Sequence, residues 1–246
     1  MPRPKPISEH VSAWFQQIID LDEEIHPYKL MRLEKEISKL KDEYEKSIDY
    51  AYLYGIWGKF DDARKWLRAS GGYGPSSALR YAGAAKAALE FQVANEAIRY
   101  AVDNGGVTTA SERAFGIYIA TGICAFNLAR EIRDAKDEEI MMVNGQELAN
   151  EALDRAHRLG LKDRDIQEFF TRSLKNVEKY MADKRRPLVI DQCVDDEQPE
   201  KIVLRLEIAA DPDDFGDILW DLCDIDYTGI PPEVVSSIVI NPVPAE

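Results

Sequence analysis

Apolar residues recur with the 3.6-residue spacing of an α-helix along most of the first three quarters of the chain. Ser8 can cap a first helix, whose apolar positions run from Val11 to Ile19. Pro27 suits the first turn of a second helix, which the pattern predicts over residues 28–57. Further helices are predicted over residues 61–70, 76–88, 91–103, 111–134, 144–159 and 163–182.

The helix predicted over residues 28–57 carries an apolar seam that steps by three and four residues, as in a heptad repeat. Lysines and glutamates surround this seam. Two interpretations follow: a long bundle helix that packs within the chain, or a homodimer that forms through the seam. The seam consists of Leu30, Leu33, Ile37, Leu40 and Tyr44.

The pattern changes after Pro187, where β-branched residues and two-residue alternation replace the helical period. Strands are predicted at Leu188–Ile190, over 202–208 and at 234–240, with a helix over 212–224 whose Phe215, Ile218, Leu219 and Leu222 point inward. Sixty residues in the order strand, strand, helix, strand make a small α+β layer. Such a layer is marginal alone, so we expect it to dock on the helices or pair with another chain.

The sequence therefore predicts a mainly α fold followed by a small C-terminal α+β (ββαβ) domain. We expect a helical domain over residues 1–186 and a small acidic domain over residues 187–246.

The stretch from Tyr50 to Ser70 resembles a tetratricopeptide repeat unit, a helical hairpin in which small residues let two antiparallel helices touch. A second unit has Phe91 and Ala94 at matching positions, and Ala94 follows Ala63 by 31 residues, near the 34-residue period of the family. The matching positions of the first unit are Ala51, Tyr54, Gly58, Phe60 and Ala63.

The second unit departs from the family's pattern because Leu89 stands where the turn glycine is expected. A fainter third unit lies out of period, at Gly145, Ala149, Leu153 and Ala156. The resemblance covers residues 47–160, and what it implies is a stack of antiparallel hairpins that binds a protein or peptide.

Aromatic residues are dense around the first unit, where tyrosine and tryptophan could form a binding face or simply fill the core. We predict that a groove on the hairpins uses two of these tyrosines together with arginines that flank the paired helices. The predicted groove residues are Tyr50, Tyr54, Arg64, Arg80 and Arg99.

Charge is distributed unevenly. The chain has a formal net charge of −14, and residues 187–246 hold 15 acidic residues against Lys201 and Arg205, a net charge of −13. Such a field repels phosphate backbones and anionic lipids and attracts basic surfaces. We therefore expect a protein or peptide partner with a basic surface, no direct binding of nucleic acid by the acidic domain, and no membrane binding. The predicted acidic face consists of Asp213, Asp214, Asp217 and Asp221.

The main hypothesis is a non-catalytic scaffold or adaptor that binds proteins. An alternative is an inhibitor or antitoxin that mimics nucleic acid, since regularly spaced carboxylates can imitate phosphates. Asp213, Asp217, Asp221 and Asp224 step by four, four and three residues, which predicts one helix face.

A remote alternative is a metal-dependent phosphohydrolase that uses Asp224 and Asp226. The run from Asp224 to Thr228 matches the Asp-x-Asp-x-Thr box of haloacid-dehalogenase-like phosphatases, in which the first aspartate is the nucleophile. That chemistry needs the box at the end of a buried parallel strand. The same run imitates the start of a calcium loop, but Val235 stands where the bidentate carboxylate belongs.

Other chemistry lacks support in the sequence. The three histidines have no ligand partner at useful spacing, the three cysteines form no Cys-x-x-Cys pair, and no phosphate-binding loop or dinucleotide fingerprint is present. We therefore expect no cofactor and no metal. No apolar run is long enough to span a membrane, and the first residues lack the apolar stretch of a secretory signal, so we expect a cytoplasmic protein.

Overall fold

The computed structural model describes residues 25–135, 146–184, 188–194 and 200–244. The chain is mainly helical and ends in a small three-stranded sheet, which confirms the predicted fold class. The helix predicted from Ser8 and the residue Gly145 lie outside the described residues.

The helices are α1 (Pro27–Ile37), α2 (Glu43–Ile56), α3 (Phe60–Ala69), α4 (Ala78–Ala87), α5 (Phe91–Asp103), α6 (Ala110–Gly122), α7 (Phe126–Asp134), α8 (Gln146–Arg158), α9 (Asp163–Met181), α10 (Phe215–Cys223) and α11 (Pro232–Ser237). The strands are β1 (Val189–Val194), β2 (Ile202–Ile208) and β3 (Ile238–Pro244). A short 3₁₀ turn, Pro212–Asp214, leads into α10.

The long helix predicted over 28–57 is wrong, because the chain breaks between α1 and α2. Asp42 ends the break: its side chain accepts a hydrogen bond from the backbone N–H of Glu45 at 2.9 Å and so caps α2. The break lets α1 fold back on α2, where Leu53 and Ile56 cover the first four seam residues. Those four are Leu30, Leu33, Ile37 and Leu40.

The seam is therefore used inside the chain and presents no face to a second copy. Leu30, Leu33 and Ile37 are fully buried. Tyr44, the fifth seam residue, lies on α2, and its hydroxyl donates to the carbonyl of Ser77 at 3.4 Å. This arrangement corrects the prediction of a homodimer through these five residues, since burying them within the fold already removes their apolar surface from water.

Three helical hairpins follow one another and share one turn geometry. They are α2 with α3, α4 with α5 and α6 with α7, and each pair packs together. The middle residue of each turn has a positive φ: 78° at Gly58, 61° at Leu89 and 58° at Cys124. In each turn the next backbone N–H donates to a carbonyl five residues earlier, as at a helix end closed by a left-handed residue.

The third hairpin corrects one sequence interpretation, because the single helix predicted over 111–134 is broken at Cys124. The fainter unit at Gly145, Ala149, Leu153 and Ala156 stays a prediction, since Gly145 lies outside the described residues. Neither Leu89 nor Cys124 indicates a turn in the sequence, because residues with a β-carbon rarely adopt a positive φ. Both side chains are buried, and their contacts hold the backbone in the left-handed region.

Each second helix begins with the same packing unit. Phe60, Phe91 and Phe126 open α3, α5 and α7, spaced by 31 and 35 residues, and all three are buried. An alanine that is fully buried follows each of them by three residues. These alanines, Ala63, Ala94 and Ala129, let the helices of neighbouring hairpins approach closely.

The helix α9 crosses the turns of the hairpins. At its start, the carboxylate of Asp163 accepts from the backbone N–H groups of Asn127 and Leu128 at 2.8 and 2.9 Å, and so caps α7 from outside. One turn later, Gln167 donates to the carbonyl of Ile123 at 3.0 Å.

Further along α9 the contacts reach the other two turns. The ring of Phe170 stacks on Phe91 with centroids 5.5 Å apart. Just beyond the helix, the N–H of Asp183 donates to the carbonyl of Gly58 at 3.3 Å. One helix thus holds three successive hairpins in register, while α8 packs on α7 and β1.

The C-terminal sheet has the order β1-β2-β3. β1 pairs antiparallel with β2, and β2 pairs parallel with β3, the connection passing through α10 and α11. The predicted order of strand, strand, helix, strand holds, but the sequence missed α11. The last strand begins at Ile238, later than predicted, because Pro232 starts a helical turn there.

The sheet docks on the helices. The inward side chains of β2 are fully buried in the same core as the hairpins. β1 packs on α8 and α6, and α10 and α11 pack on α9. The expected docking is thus observed, and the described residues on both sides of the boundary predicted at 186 share one core. The inward residues of β2 are Ile202, Leu204, Leu206 and Ile208.

Candidate protein-binding surfaces

The two tyrosines of the predicted groove join the first three helices. Tyr50 is 8% exposed and stacks on Trp66 and Tyr54, with centroids 4.6 and 5.9 Å apart. The hydroxyl of Tyr54 donates to the carboxylate of Glu34 at 2.6 Å. Burial, with help from Glu34, raises the pKa of Tyr54. Their geometry supports a packing role, with only part of each ring at the surface.

The three predicted arginines are engaged in ion pairs between neighbouring helices. Arg80 of α4 binds Asp49 of α2, with N and O 2.5 Å apart. Arg99 of α5 binds Glu131 of α7, also at 2.5 Å. Asp49 is buried, and this burial raises its pKa despite the arginine.

Arg64 makes the most extensive of these connections. Its guanidinium reaches Glu90 of the second hairpin at 3.2 Å and Glu178 of α9 at 2.7 Å. The hydrogen bonds that Arg64 donates to the carboxylate of Glu178 contribute most to the raised pKa of Arg64. The three arginines thus lie in separate inter-helix contacts, so the structure does not assemble the five predicted residues into one groove.

An open cleft of about 680 Å³ lies beside the Gly58 turn, between the start of α3 and the end of α9. Its charged lining consists of Lys59, Asp61, Asp62, Arg64, Lys175, Glu178, Lys179 and Asp183. Four positive and four negative side chains balance each other, and Arg64 is already bound to Glu178. The cleft therefore favours neither sign of ligand charge.

A different surface stands out on α10. Trp220 is 73% exposed and Leu219 is 51% exposed, and both lie on the side of the helix that faces away from the core. Gly216 and Cys223 are exposed on the same side. These four residues, at positions i, i+3, i+4 and i+7, form what we call the α10 stripe.

The opposite side of α10 fixes the helix to the body. Ile218 is fully buried, and Phe215 and Leu222 pack against the core. The prediction that Leu219 points inward is therefore wrong. Six of the nine residues of α10 are apolar or cysteine. One buried face of a helix this short cannot hold six such side chains, so some of them must be exposed. This excess is the sequence signal that could have revealed the stripe.

Acidic residues border the stripe on one edge. Asp213, Asp217 and Asp224 are exposed, and Asp214 is half-buried. On a helix, positions 217, 220 and 224 are neighbours, so Trp220 lies against this acidic row. Two of the four residues of the predicted acidic face, Asp213 and Asp217, therefore lie on the side of the stripe, whereas Asp214 precedes the buried Ile218 by one turn and lies on the other side of the helix.

Asp221, the fourth predicted acidic residue, is turned toward α9. Its carboxylate accepts from the hydroxyl of Tyr180 at 2.9 Å and pairs with the ammonium group of Lys179 at 2.8 Å. Hydrogen bonds from Lys179 and then Tyr180 lower the pKa of Asp221. The row of four exposed carboxylates that nucleic-acid mimicry invoked is thus interrupted, because Asp221 anchors α10.

The Asp224 box lies at the end of α10 and not at the end of a strand, so it lacks the context that the phosphatase chemistry needs. Asp226 accepts from the N–H of Thr228 at 2.8 Å in a tight turn. The guanidinium of Arg172 donates to the carbonyls of Asp226 and Thr228, each at 2.9 Å. Arg172 of α9 therefore holds this turn through two of its backbone carbonyls, and the side chain of Asp226 is used in the turn itself.

Two further observations concern only the part of the chain that the structure describes. Its residues contain no cluster of three or more histidine, cysteine or carboxylate side chains arranged for a metal ion. Within the same residues, each helix is too short or too polar to cross a membrane.

The fold is a series of helical hairpins that one helix, α9, contacts at their turns, with a small sheet packed on the helices. Its most distinctive surface is α10, which exposes apolar and acidic side chains. Comparison of the chain with protein-family models, curated proteins and solved structures gave no match.

Proposed function

We propose that this protein is a non-catalytic, cytoplasmic scaffold or adaptor that binds another protein through the α10 stripe. The observation that carries the proposal is the exposure of Trp220 and Leu219 side by side on one helix. Contiguous apolar surface with a polar border is typical of protein interaction sites, and tryptophan is enriched among the residues that dominate binding energy.

The free energy available from covering Trp220 supports the α10 stripe as the binding surface. A tryptophan that is 73% exposed leaves on the order of 150 Å² in contact with water. At about 25 cal/mol per Å², covering it contributes roughly 3 to 4 kcal/mol. That gain is large enough for one residue to anchor an interface.

Rigidity is a second support. Ile218 is buried, the carbonyl of Asp221 accepts from the side chain of Asn176 at 3.0 Å, and its carboxylate contacts α9. The helix is thus already ordered, so a partner loses little free energy in fixing it.

The hairpins supply the platform in this proposal. A second groove through Tyr50, Tyr54, Arg64, Arg80 and Arg99 has weaker support, because these side chains bind other residues of the chain.

Affinity capture from the source cells, with tagged full-length protein at 150 mM salt, tests the proposal. Trp220→Ala should lower recovery of the principal partner at least tenfold, as expected for about 1.4 kcal/mol or more of binding energy. Tyr28→Ala is the matched control, because Tyr28 is 66% exposed on α1.

Equal recovery by all three proteins would contradict the proposal. A partner that is lost steeply with salt but not with Trp220→Ala would favour the nucleic-acid mimic instead, since purely electrostatic contacts are screened.

A further inference from the structure

We infer that the α10 stripe binds a short amphipathic helix of its partner, with lysine or arginine residues along one edge of that helix. This inference rests on the proposed function and adds the chemistry of the partner. It is carried by the shape of the stripe and by the position of the acidic row.

The shape of the stripe suits a second helix. The nine residues of α10 extend over about 13 Å, or two and a half turns. The large side chains of Leu219 and Trp220 project from the helix surface between two residues with small side chains, Gly216 and Cys223. The space beside Gly216 is open, because a β-carbon placed on it would meet no atom within 4 Å. A large side chain of a partner helix can enter that space while its neighbours contact Trp220, as ridges of one helix pack into the grooves of another.

The charges exclude other occupants. Asp217 and Asp224 lie along the edge next to Trp220, and the last 60 residues carry a net charge of −13. A second copy of the chain would bring the same field toward its counterpart, and an anionic lipid surface would be repelled. A basic side chain on the partner, by contrast, meets the carboxylates of the row and can lie over the ring of Trp220.

The position of the acidic row along one edge of the stripe also determines where the basic residues of the partner helix should lie. Because Asp217 and Asp224 lie on the Trp220 side of α10 and not on its Leu219 side, the basic residues of the partner should cluster on one side of its apolar face. A partner helix with basic residues all around its polar side would gain little additional binding free energy, because the residues far from the acidic row would stay in water.

A display library of random 16-residue helical peptides, selected on the full chain and counter-selected on Trp220→Ala, tests the inference. Selected peptides should have apolar residues at i, i+3 or i+4, and i+7, with lysine or arginine on one side. For a selected peptide at 150 mM salt, Trp220→Ala should weaken binding at least tenfold, and Asp217→Asn with Asp224→Asn together roughly threefold.

Three results would overturn the inference: selected peptides that are neutral or acidic, selected peptides without helical periodicity, or no enrichment over the Trp220→Ala counter-selection. These results differ from a failure of the proposed function. If the captured cellular partner still requires Trp220, the function stands and only the helical, basic nature of the partner is wrong. If that partner ignores Trp220, the function itself fails.

Discussion

At the scale of single residues, Glu112 shows how one side chain stabilises the start of a helix. Its carboxylate accepts from the backbone N–H groups of Thr108 and Thr109 at 2.9 and 2.8 Å, and Thr109 in turn caps the N–H of Glu112 at 3.2 Å. This reciprocal capping box begins α6, the first helix of the third hairpin. The hydrogen bonds from Thr109 and Thr108 lower the pKa of Glu112 to about 2.

Stability should therefore depend on pH through Glu112. Because its pKa is lower in the folded than in the unfolded chain, its contribution is complete above about pH 4.5 and is lost as the pH falls toward 2. Glu112→Ala should lower the melting temperature at pH 7, and the difference from wild type should shrink between pH 5 and pH 3. Thermal unfolding monitored by circular dichroism measures this.

The control is Glu96→Ala, which removes an exposed glutamate from the middle of α5. Its difference from wild type should stay constant over the same pH range. A Glu112→Ala difference that is just as constant would show that the capping box does not hold the carboxylate ionised.

At the scale of elements, the hairpin turns determine how the helices stack. Gly58 and Gly160 both have a positive φ, 78° and 67°, but their surroundings differ. A β-carbon on Gly58 would lie 2.6 Å from the backbone N of Asp183 and 2.6 Å from the carbonyl oxygen of Met181, whereas one on Gly160 would meet nothing within 4 Å. The Gly58 turn thus bears the contact with the end of α9.

Gly58→Ala should cost at least about 3 kcal/mol of unfolding free energy, from about 1 to 2 kcal/mol of backbone strain plus the separation of α9 from the turn. Gly160→Ala carries the strain alone and should cost about 1 to 2 kcal/mol. Chemical denaturation of both variants gives the comparison. Equal losses would mean that α9 does not press on the first hairpin.

The same turns show how far sequence reasoning reaches. Gly58, Phe60 and Ala63 identified the first hairpin, because glycine signals a left-handed turn and the other two follow a packing spacing. Leu89 departs from the repeat pattern and Cys124 gives no turn signal in the sequence, since only tertiary contacts hold such residues at positive φ. Membership of the tetratricopeptide family stays a prediction.

Candidate sites were harder to predict than elements. The acidic row follows from composition, because charge is visible in the sequence. Which apolar residues of α10 remain outside depends on where α9 docks, and no local pattern encodes that. The roles of the arginines could not be predicted for the same reason, since their acidic partners outside their own helices lie 26 or more residues away in the chain.

At the scale of the whole molecule, hairpins and sheet depend on each other. The four inward residues of β2 complete the core that the helices begin. A fragment that ends at Lys184 should therefore melt at least about 10 °C below the full chain, since it loses several side chains worth roughly 1.5 to 3 kcal/mol each. In the full chain, Leu204→Ala should cost about 2 to 5 kcal/mol.

Differential scanning calorimetry of the fragment, the full chain and Leu204→Ala tests this coupling. The full chain should show one cooperative transition. Two separate transitions, with the fragment melting at the temperature of one of them, would contradict the shared core and support two independent domains.

The central claim is that the outward face of α10 touches another protein. Site-specific photocrosslinking in the source cells tests it most directly, with the photoreactive residue at position 219 and, as control, at position 31, since Met31 is also exposed, at 58%. We predict a discrete crosslinked species from position 219 that is absent from position 31 and is lost with Trp220→Ala. Crosslinks from position 31 but none from position 219, or a species that persists in Trp220→Ala, would contradict the account.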